Sequence, residues 1–198
     1  KTINLALMYG MGQTRLAEQL DVSIDDAKRL MAQYHRDVPF VKELQETVQR
    51  RVADKEGNGF IRSMLGRKCR FNLWEPNLFV SSRALQKEQA LIDYGDNIKR
   101  AYTYRALNRL IQASAADQTK ASMVEIHKQT GKIPLVQIHD ELAFSVEDQK
   151  EAEGICKIME EAVQLEVPTP CDISLGTSWG SLSKVDSRDN SRMIPEKD

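Results

Sequence analysis

No run in these 198 residues reaches the eighteen or so consecutive apolar positions that a membrane-spanning helix needs. The opening K-T-I-N-L-A-L-M-Y-G is too short, and too soon interrupted by Tyr-Gly, to serve as a secretory signal. A cytoplasmic protein with no membrane partner is expected. Cysteine is scarce: Cys69, Cys156 and Cys171 are odd in number, far apart and in no C-x-x-C pair. They indicate neither a disulfide framework nor a cysteine zinc site, and read as buried thiols outside any disulfide. Excess charge of one sign is also missing, since 28 Lys and Arg meet 29 Asp and Glu, which excludes a uniformly basic nucleic-acid binder. That balance conceals a division. Residues 1–120 hold 20 basic against 14 acidic residues, and residues 121–198 hold 8 against 15. The front half is suited to a polyanion and the back half to cations. No internal repeat is present, and 41% hydrophobic content is enough for one good core or two modest ones. The chain begins without Met, and Lys1 stands inside a helix-like pattern with no cap ahead of it. A piece of a longer protein is expected.

The stretch Ile133 to Val146, I-P-L-V-Q-I-H-D-E-L-A-F-S-V, sets His139, Asp140 and Glu141 between two short apolar, β-branched runs. It reads as a β-hairpin with core-like strands and charge at its tip. Unpaired carboxylates must stay wet, be paired or hold a cation, so the tip is either an ordinary solvated turn or a metal site. Asp117 and Asp172 are the other acids considered near it, with plain readings as a helix-surface acid and a strand-start acid.

Ahead of that stretch, Lys1, Leu5 and Tyr9 recur every four residues and share a helical face, which Tyr9-Gly10 and Gly12 bring to an end. Gln13–Leu20 reads as a short helix. Ser23-x-x-Asp26 caps the next, with Ala27, Leu30, Met31 and Tyr34 inward, and Pro39 opens a third through Val52 with Phe40, Leu44 and Val48 inward. Two β-like arms, Phe60–Leu65 and Lys68–Leu73, meet at Gly66-Arg67. Arg62, Arg67, Lys68 and Arg70 make them either a solvated charged hairpin or a phosphate-contacting edge. Trp74 to Ser82 reads as loop around Pro76, and Ala84–Ile92 as helical with a break near Gly95. A long helix from Tyr102 to about Gln129 carries the stripe Leu107, Leu110, Ile111, Ala115, Met123 and Val124. Its other side projects Arg105, Asn108 and Gln112, either plain exposed polar groups or readers of minor-groove acceptors. An acidic helix, Gln149–Leu165, and a last strand, Cys171–Leu175, follow. Beyond Ser183 no periodic apolar face remains.

In this order the motifs resemble the carboxy-terminal part of family A DNA polymerases, the polymerase I type in a phage-like version, over roughly residues 1–180. The signals are Lys1, Leu5, Tyr9 and Gly10 on one helix, R-A-L-N-R-L-I-Q-A-S-A-A-D from Arg105 to Asp117, and L-V-Q-I-H-D-E-L from Leu135 to Leu142. The resemblance implies an α+β fragment of a larger polymerase fold. Residues 1–80 would be a helical fingers portion with a basic hairpin at about 59–73. Residues 81–182 would be a palm with a small antiparallel sheet packed on helices and the catalytic hairpin at 133–147, and residues 183–198 a flexible polar tail.

The implied activity is template-directed DNA synthesis in DNA replication, by nucleotidyl transfer from dNTP to a primer 3′-hydroxyl with two Mg²⁺ ions. Lys1 would hold the dNTP phosphates, Leu5 would pack on its sugar, and Tyr9 would stack beside the nascent pair. Gly10, Asn108, Gln112 and Arg67 would contact the primer–template DNA, and His139 the primer terminus. Asp140 would bind the metal pair, with Glu141 acting behind it. Leu5 stands where the family often has Phe or Tyr, and Tyr104 where an arginine is expected. The family's other metal-binding aspartate is expected on an upstream polymerase segment, of the same or a second chain. Two other readings remain: a non-catalytic half of a split polymerase, and a single-subunit RNA polymerase. The latter class resembles His-Asp-Ser at the tip, whereas Glu141 follows His-Asp here.

Overall fold

The computed structural model describes residues 2–78 and 83–185. Packing divides the chain after residue 114, not after residue 80, into units 1–114 and 115–198. The first unit extends further because Ala106 and Leu107, at the start of the long helix, share one buried cluster with Val41, Val48, Val52, Ile61 and Phe71.

The first unit begins with four helices, α1 Thr2–Met8, α2 Gln13–Leu20, α3 Ile24–Asp37 and α4 Pro39–Ala53. Local chemistry sets their ends. The Ser23 hydroxyl accepts the Asp26 backbone N–H at 3.1 Å and so satisfies an orphan donor of α3. The same hydroxyl, and then Arg29, hold the Asp26 carboxyl below its usual range. Pro39 fills the first position of α4, where no N–H is missed. Leu16 and Ala27 bury completely between α1, α2 and α3.

Of the inward residues expected on α4, Val48 is buried, but Phe40 and Leu44 are not. Val41, Val48 and Val52 are buried, while Phe40 is 61% exposed and Leu44 lies outside with it. These three positions lie seven and four apart, so they share a face as well as the expected set does, and only the tertiary partner decides between them. Leu30 of α3 is exposed for the same reason.

Two antiparallel ladders complete this unit. β1 Phe60–Arg62 pairs with β2 Lys68–Arg70. β3 Trp74–Pro76 pairs with β4 Ile98–Arg100, with α5 Lys87–Tyr94 between them in sequence. The expected loop at Trp74 is therefore a strand. Pro76 is tolerated as its last residue, opposite Ile98, and the chain beyond it is still bonded from the Asn77 N–H to the Asn97 carbonyl at 2.8 Å. Trp74, Ala90 and Ile98 form the core of this part. A 3₁₀ turn, Thr103–Arg105, precedes α6 Ala106–Thr130, so Arg105 falls outside the α-helical register.

The second unit holds the rest of α6, the hairpin β5 Val136–Ile138 and β6 Glu141–Ala143, α7 Gln149–Glu161, and a fourth ladder, β7 Ile173–Leu175 with β8 Ser183–Val185. Ser183–Val185, expected to open a flexible tail, thus form a strand, and the rest of that expected tail, residues 186–198, lies outside the described residues. Ser183 and Lys184 are polar because a two-stranded ladder can leave one face in water. On α6 the expected apolar stripe fades: Val124 is 54% exposed, while Asp117, Thr119 and Ser122 are buried with Ile126. Thr119 and Ser122 can bury because their hydroxyls donate to the carbonyls of Ala115 and Gln118 on the preceding turn. Among the described residues no helix is long and apolar enough to cross a membrane.

Candidate functional site

The pairing of Ile138 with Glu141 leaves His139 and Asp140 as a two-residue turn. His139 has φ +54°, so the first central residue lies in the left-handed region, as in a type II′ turn. Glycine is the usual occupant, and an L side chain there costs on the order of 1 kcal/mol. The turn is held from within, by the Gln137 Nε2 donating to the His139 carbonyl at 3.1 Å. His139, Asp140 and Glu141 are all exposed. Among the described residues, neither carboxylate has an ion-pair or hydrogen-bond partner, so both stay hydrated and available to a cation.

The hairpin's strands are not core-like, as had been expected. All of β5 is exposed, with Val136 and Ile138 each more than two-fifths accessible and Leu135 at 70%. A two-stranded ladder has no second layer of its own, and the described residues cover this one only in part, with Leu142 and Ala143 half-buried. Asp117 is also not the expected surface acid, being only 4% exposed. Asp172 is an exposed acid beside its strand and pairs with Lys184 at 3.2 Å.

At its base the hairpin is clamped. Lys132 Nζ lies 2.8 Å from the Glu151 carboxylate and donates to the Ser145 carbonyl at 2.9 Å. The Lys132 ammonium first, and the Glu147 N–H second, hold the Glu151 carboxyl below its ordinary range. A carboxyl depressed in the folded state adds stability above its unfolded pKa, and that stability is lost as pH falls through the folded value. Amide exchange at Leu135, corrected for its intrinsic rate, is therefore expected to quicken as pH drops below the usual glutamate range. Glu151→Gln should flatten that profile. A profile unchanged by the substitution would show that the clamp does not hold the hairpin base.

In the first unit, α1 ends in a Schellman turn. The Met11 N–H reaches the Ala6 carbonyl at 2.9 Å and the Gly10 N–H reaches Leu7 at 3.0 Å, with Gly10 at φ +73°. A β-carbon at Gly10 would press on Gln45 and the Tyr104 carbonyl, both at 3.4 Å. Tyr9 is thereby fixed at the helix end, and its hydroxyl accepts a hydrogen bond from Gln112 Nε2 at 3.0 Å. Two expected site residues 103 positions apart in sequence are thus joined. Asn108, one turn before Gln112, is half-buried. Arg105 does not project with them: its guanidinium stacks on the Tyr102 and Tyr104 rings and donates to the Tyr104 hydroxyl. Lys1 lies outside the described residues, and Leu5 is described only by its backbone position in α1.

The basic hairpin is built around its cations. Arg62 and Lys68 are directly opposed, an unfavourable like-charge pair, and both stand over the Phe60 ring at 5.5 and 4.8 Å. Arg67 is exposed at the turn, where its N–H bonds the Ser63 hydroxyl. The Met64 N–H donates to Ser114 Oγ at 3.0 Å and so ties the turn to α6. Arg109 donates to the Arg70 carbonyl and lies over Phe71.

Sequence reasoning missed one cluster. Cys156, Glu160 and Cys171 bring their ligand atoms within 4.8 Å of one another. All three cysteines are half-buried, not buried, and none is in a disulfide. The signal available was the four-residue spacing of Cys156 and Glu160, which puts them on one helix face. The return of Cys171 to that face is a tertiary fact.

Comparison with known proteins fits this arrangement. The model of DNA polymerase family A matches residues 1–181. The DNA-directed DNA polymerase of Pseudomonas phage M6 is 32% identical over 91% of this chain and 28% of its own length. DNA polymerase I of Synechocystis is 32% identical over 90% of this chain and 19% of its own. Among solved structures, the POL domain of Pol1 from M. smegmatis, in complex with DNA primer-template and dNTP, superimposes with a TM-score of 0.62 at 30% identity. That match covers 84% of this chain and 27% of the other. The chain spans less than a third of the length of each of these relatives. With a fold that matches that polymerase domain and a family match over nearly its whole length, the chain belongs to DNA polymerase family A.

Proposed function

We propose that this chain forms the fingers and palm portions of a DNA polymerase that acts in DNA replication. It would extend a primer 3′-hydroxyl with dNTP-derived nucleotides under the direction of a template and release pyrophosphate. The observation that carries this reading is the hydrogen bond between Tyr9 and Gln112, 3.0 Å long. It holds the aromatic ring of one expected DNA-facing residue against the amide of another. A ring fixed in this way can flank a nascent base pair. The Asn108 and Gln112 amides can donate to the acceptors that every base pair offers in the minor groove. Arg62, Arg67, Lys68 and Arg70 gather positive charge on one hairpin, which suits phosphate contacts.

The Asp140 carboxylate is a hard oxygen ligand, exposed and without a partner among the described residues, which fits Mg²⁺. That ion is commonly held by one or two carboxylates together with water and substrate phosphates. Such ions, when bound, supply activation of the 3′-hydroxyl and neutralisation of the leaving pyrophosphate. Asp140 would hold them, Glu141 would act behind it, and His139 would contact the primer terminus. Lys1 would pair with the dNTP phosphates as a point charge. The exposed apolar strands of the catalytic hairpin support an upstream polymerase segment, of this or a second chain, as their cover.

The test is primer extension by this chain joined to, or mixed with, that upstream segment, with Mg²⁺ and either deoxy- or ribonucleotides. Templated incorporation of deoxynucleotides is expected. Incorporation restricted to ribonucleotides would favour an RNA polymerase, and none with either would favour a non-catalytic half. In the active assembly, Leu5→Tyr is expected to change the ratio of dideoxy- to deoxynucleotide incorporation, because the side chain would meet the sugar beside the missing hydroxyl. An unchanged single-turnover ratio would show that Leu5 does not touch the nucleotide.

A further inference from the structure

We propose that Cys156, Glu160 and Cys171 form a site for a thiophilic divalent cation of the Zn²⁺ class. Cys156 and Glu160 leave one face of α7, and Cys171 approaches that face from the segment leading into β7. The cluster is already organised. The Cys171 N–H donates to Glu160 Oε1 at 2.8 Å, which fixes the carboxylate. Cys156 Sγ lies 3.7 Å from the Cys171 carbonyl and 4.0 Å from Glu160 Oε1.

Zinc bonds of about 2.3 Å to sulfur and about 2.1 Å to oxygen, in a tetrahedron, set neighbouring ligands roughly 3.5–3.8 Å apart. The three ligand atoms, none more than 4.8 Å from another, reach that spacing by side-chain movement of about an ångström. Two thiolates and one carboxylate select Zn²⁺ over Mg²⁺ by their softness, and water fills the fourth position. Each thiol gives up its proton to solvent on binding, so up to two protons are released per ion, and the Cys156 contact to the Cys171 carbonyl is surrendered. The bond would fasten the segment that follows α7, which carries Pro168 and Pro170 and is bonded to α6 from Gln118 to Thr169 at 3.0 Å.

The reduced full chain titrated with Co²⁺ is expected to take up one ion with thiolate-to-cobalt charge-transfer absorption, and Zn²⁺ should bleach it. Cys156→Ser and Cys171→Ser should each remove about half of that absorption, because each thiolate contributes separately. Glu160→Gln should keep the absorption and weaken affinity about tenfold or more. In the unaltered chain, Zn²⁺ should protect Cys156 and Cys171 from alkylation while Cys69 reacts at its original rate. The proposal is overturned if no charge-transfer band appears, if the band survives both serine variants, or if Zn²⁺ protects all three cysteines alike. An air-formed Cys156–Cys171 disulfide with no protection by Zn²⁺ would overturn it too, in favour of a redox pair.

Discussion

Asp140→Ala is expected to lower nucleotide incorporation by the assembled polymerase by about a thousandfold or more, with primer–template affinity changed by no more than about twofold. A thousandfold corresponds to roughly 4 kcal/mol of transition-state stabilisation, in the range expected for a group that positions charge where charge develops. The split between rate and affinity follows because a metal ligand acts mainly in the transition state, whereas in the proposed function DNA would be held by phosphate contacts elsewhere. The site makes this a clean experiment. Asp140 is exposed and, among the described residues, has no hydrogen-bond or ion-pair partner, so its removal should change folding stability by no more than about 0.5 kcal/mol. Glu141→Ala should cost less, since the β6 side chain leaves the ladder on a different side from the turn residue before it. Near-normal incorporation by Asp140→Ala with Mg²⁺ would remove Asp140 from the metal site.

What could be read from the sequence was what local chemistry decides. Gly10 after Tyr9 announces a left-handed helix terminus, Ser23 with Asp26 announces a cap, and His139-Asp140 between apolar runs announces a two-residue turn. Each of these needs only residues within about five positions of one another. The errors all lie where a distant partner decides. Phe40 and Leu44 share a helix face as well as Val41 and Val48 do, and the partner of α4 selected the second set. Asp117 looks like a surface acid on α6 until the packing of that helix buries it. Pro76 argued against a strand, but an edge ladder with a terminal proline loses no essential bond. Val136 and Ile138 have strand character, yet a strand's apolar face is a statement about what should cover it, and the described residues cover this one only in part. Of the candidate site, the turn at Asp140 and the helix end at Tyr9 were legible. The bond that ties Tyr9 to Gln112 was not, because nothing local links residues 103 positions apart.

Arg100→Ala, at a half-buried cation, is expected to destabilise the fold by about 3 kcal/mol. Its guanidinium donates to three carbonyls from two segments: Asp54 at 3.1 Å and Gly57 at 2.6 Å in the loop after α4, and Phe71 at 3.1 Å. It also lies 4.6 Å from the centre of the buried Trp74 ring. Burial pulls its pKa down, with the Asp54 carboxylate partly opposing, so the charge is held in place by these bonds and not by water. Charge-assisted bonds to partly buried carbonyls contribute about 1 kcal/mol each, and the ring contact adds about 0.5 kcal/mol. Arg100→Lys should recover little, because an ammonium on a single stem cannot reach three carbonyls at diverging angles. Gly59→Ala should be harmful by the same route: φ is +55° there and the new methyl would overlap the Arg100 guanidinium. The measurement is the urea midpoint at unchanged m-value. A change below about 1 kcal/mol for Arg100→Ala would mean that water replaces the guanidinium at all three carbonyls. The same variant, at temperatures where it is folded, separates structural cations from those proposed to face DNA. The salt dependence of primer–template binding should not change with Arg100→Ala, because this guanidinium is spent on the protein's own backbone. Arg67→Ala should lower the slope by about one unit, as expected for one phosphate contact. A slope that falls with Arg100 and stays constant with Arg67 would reverse the two assignments.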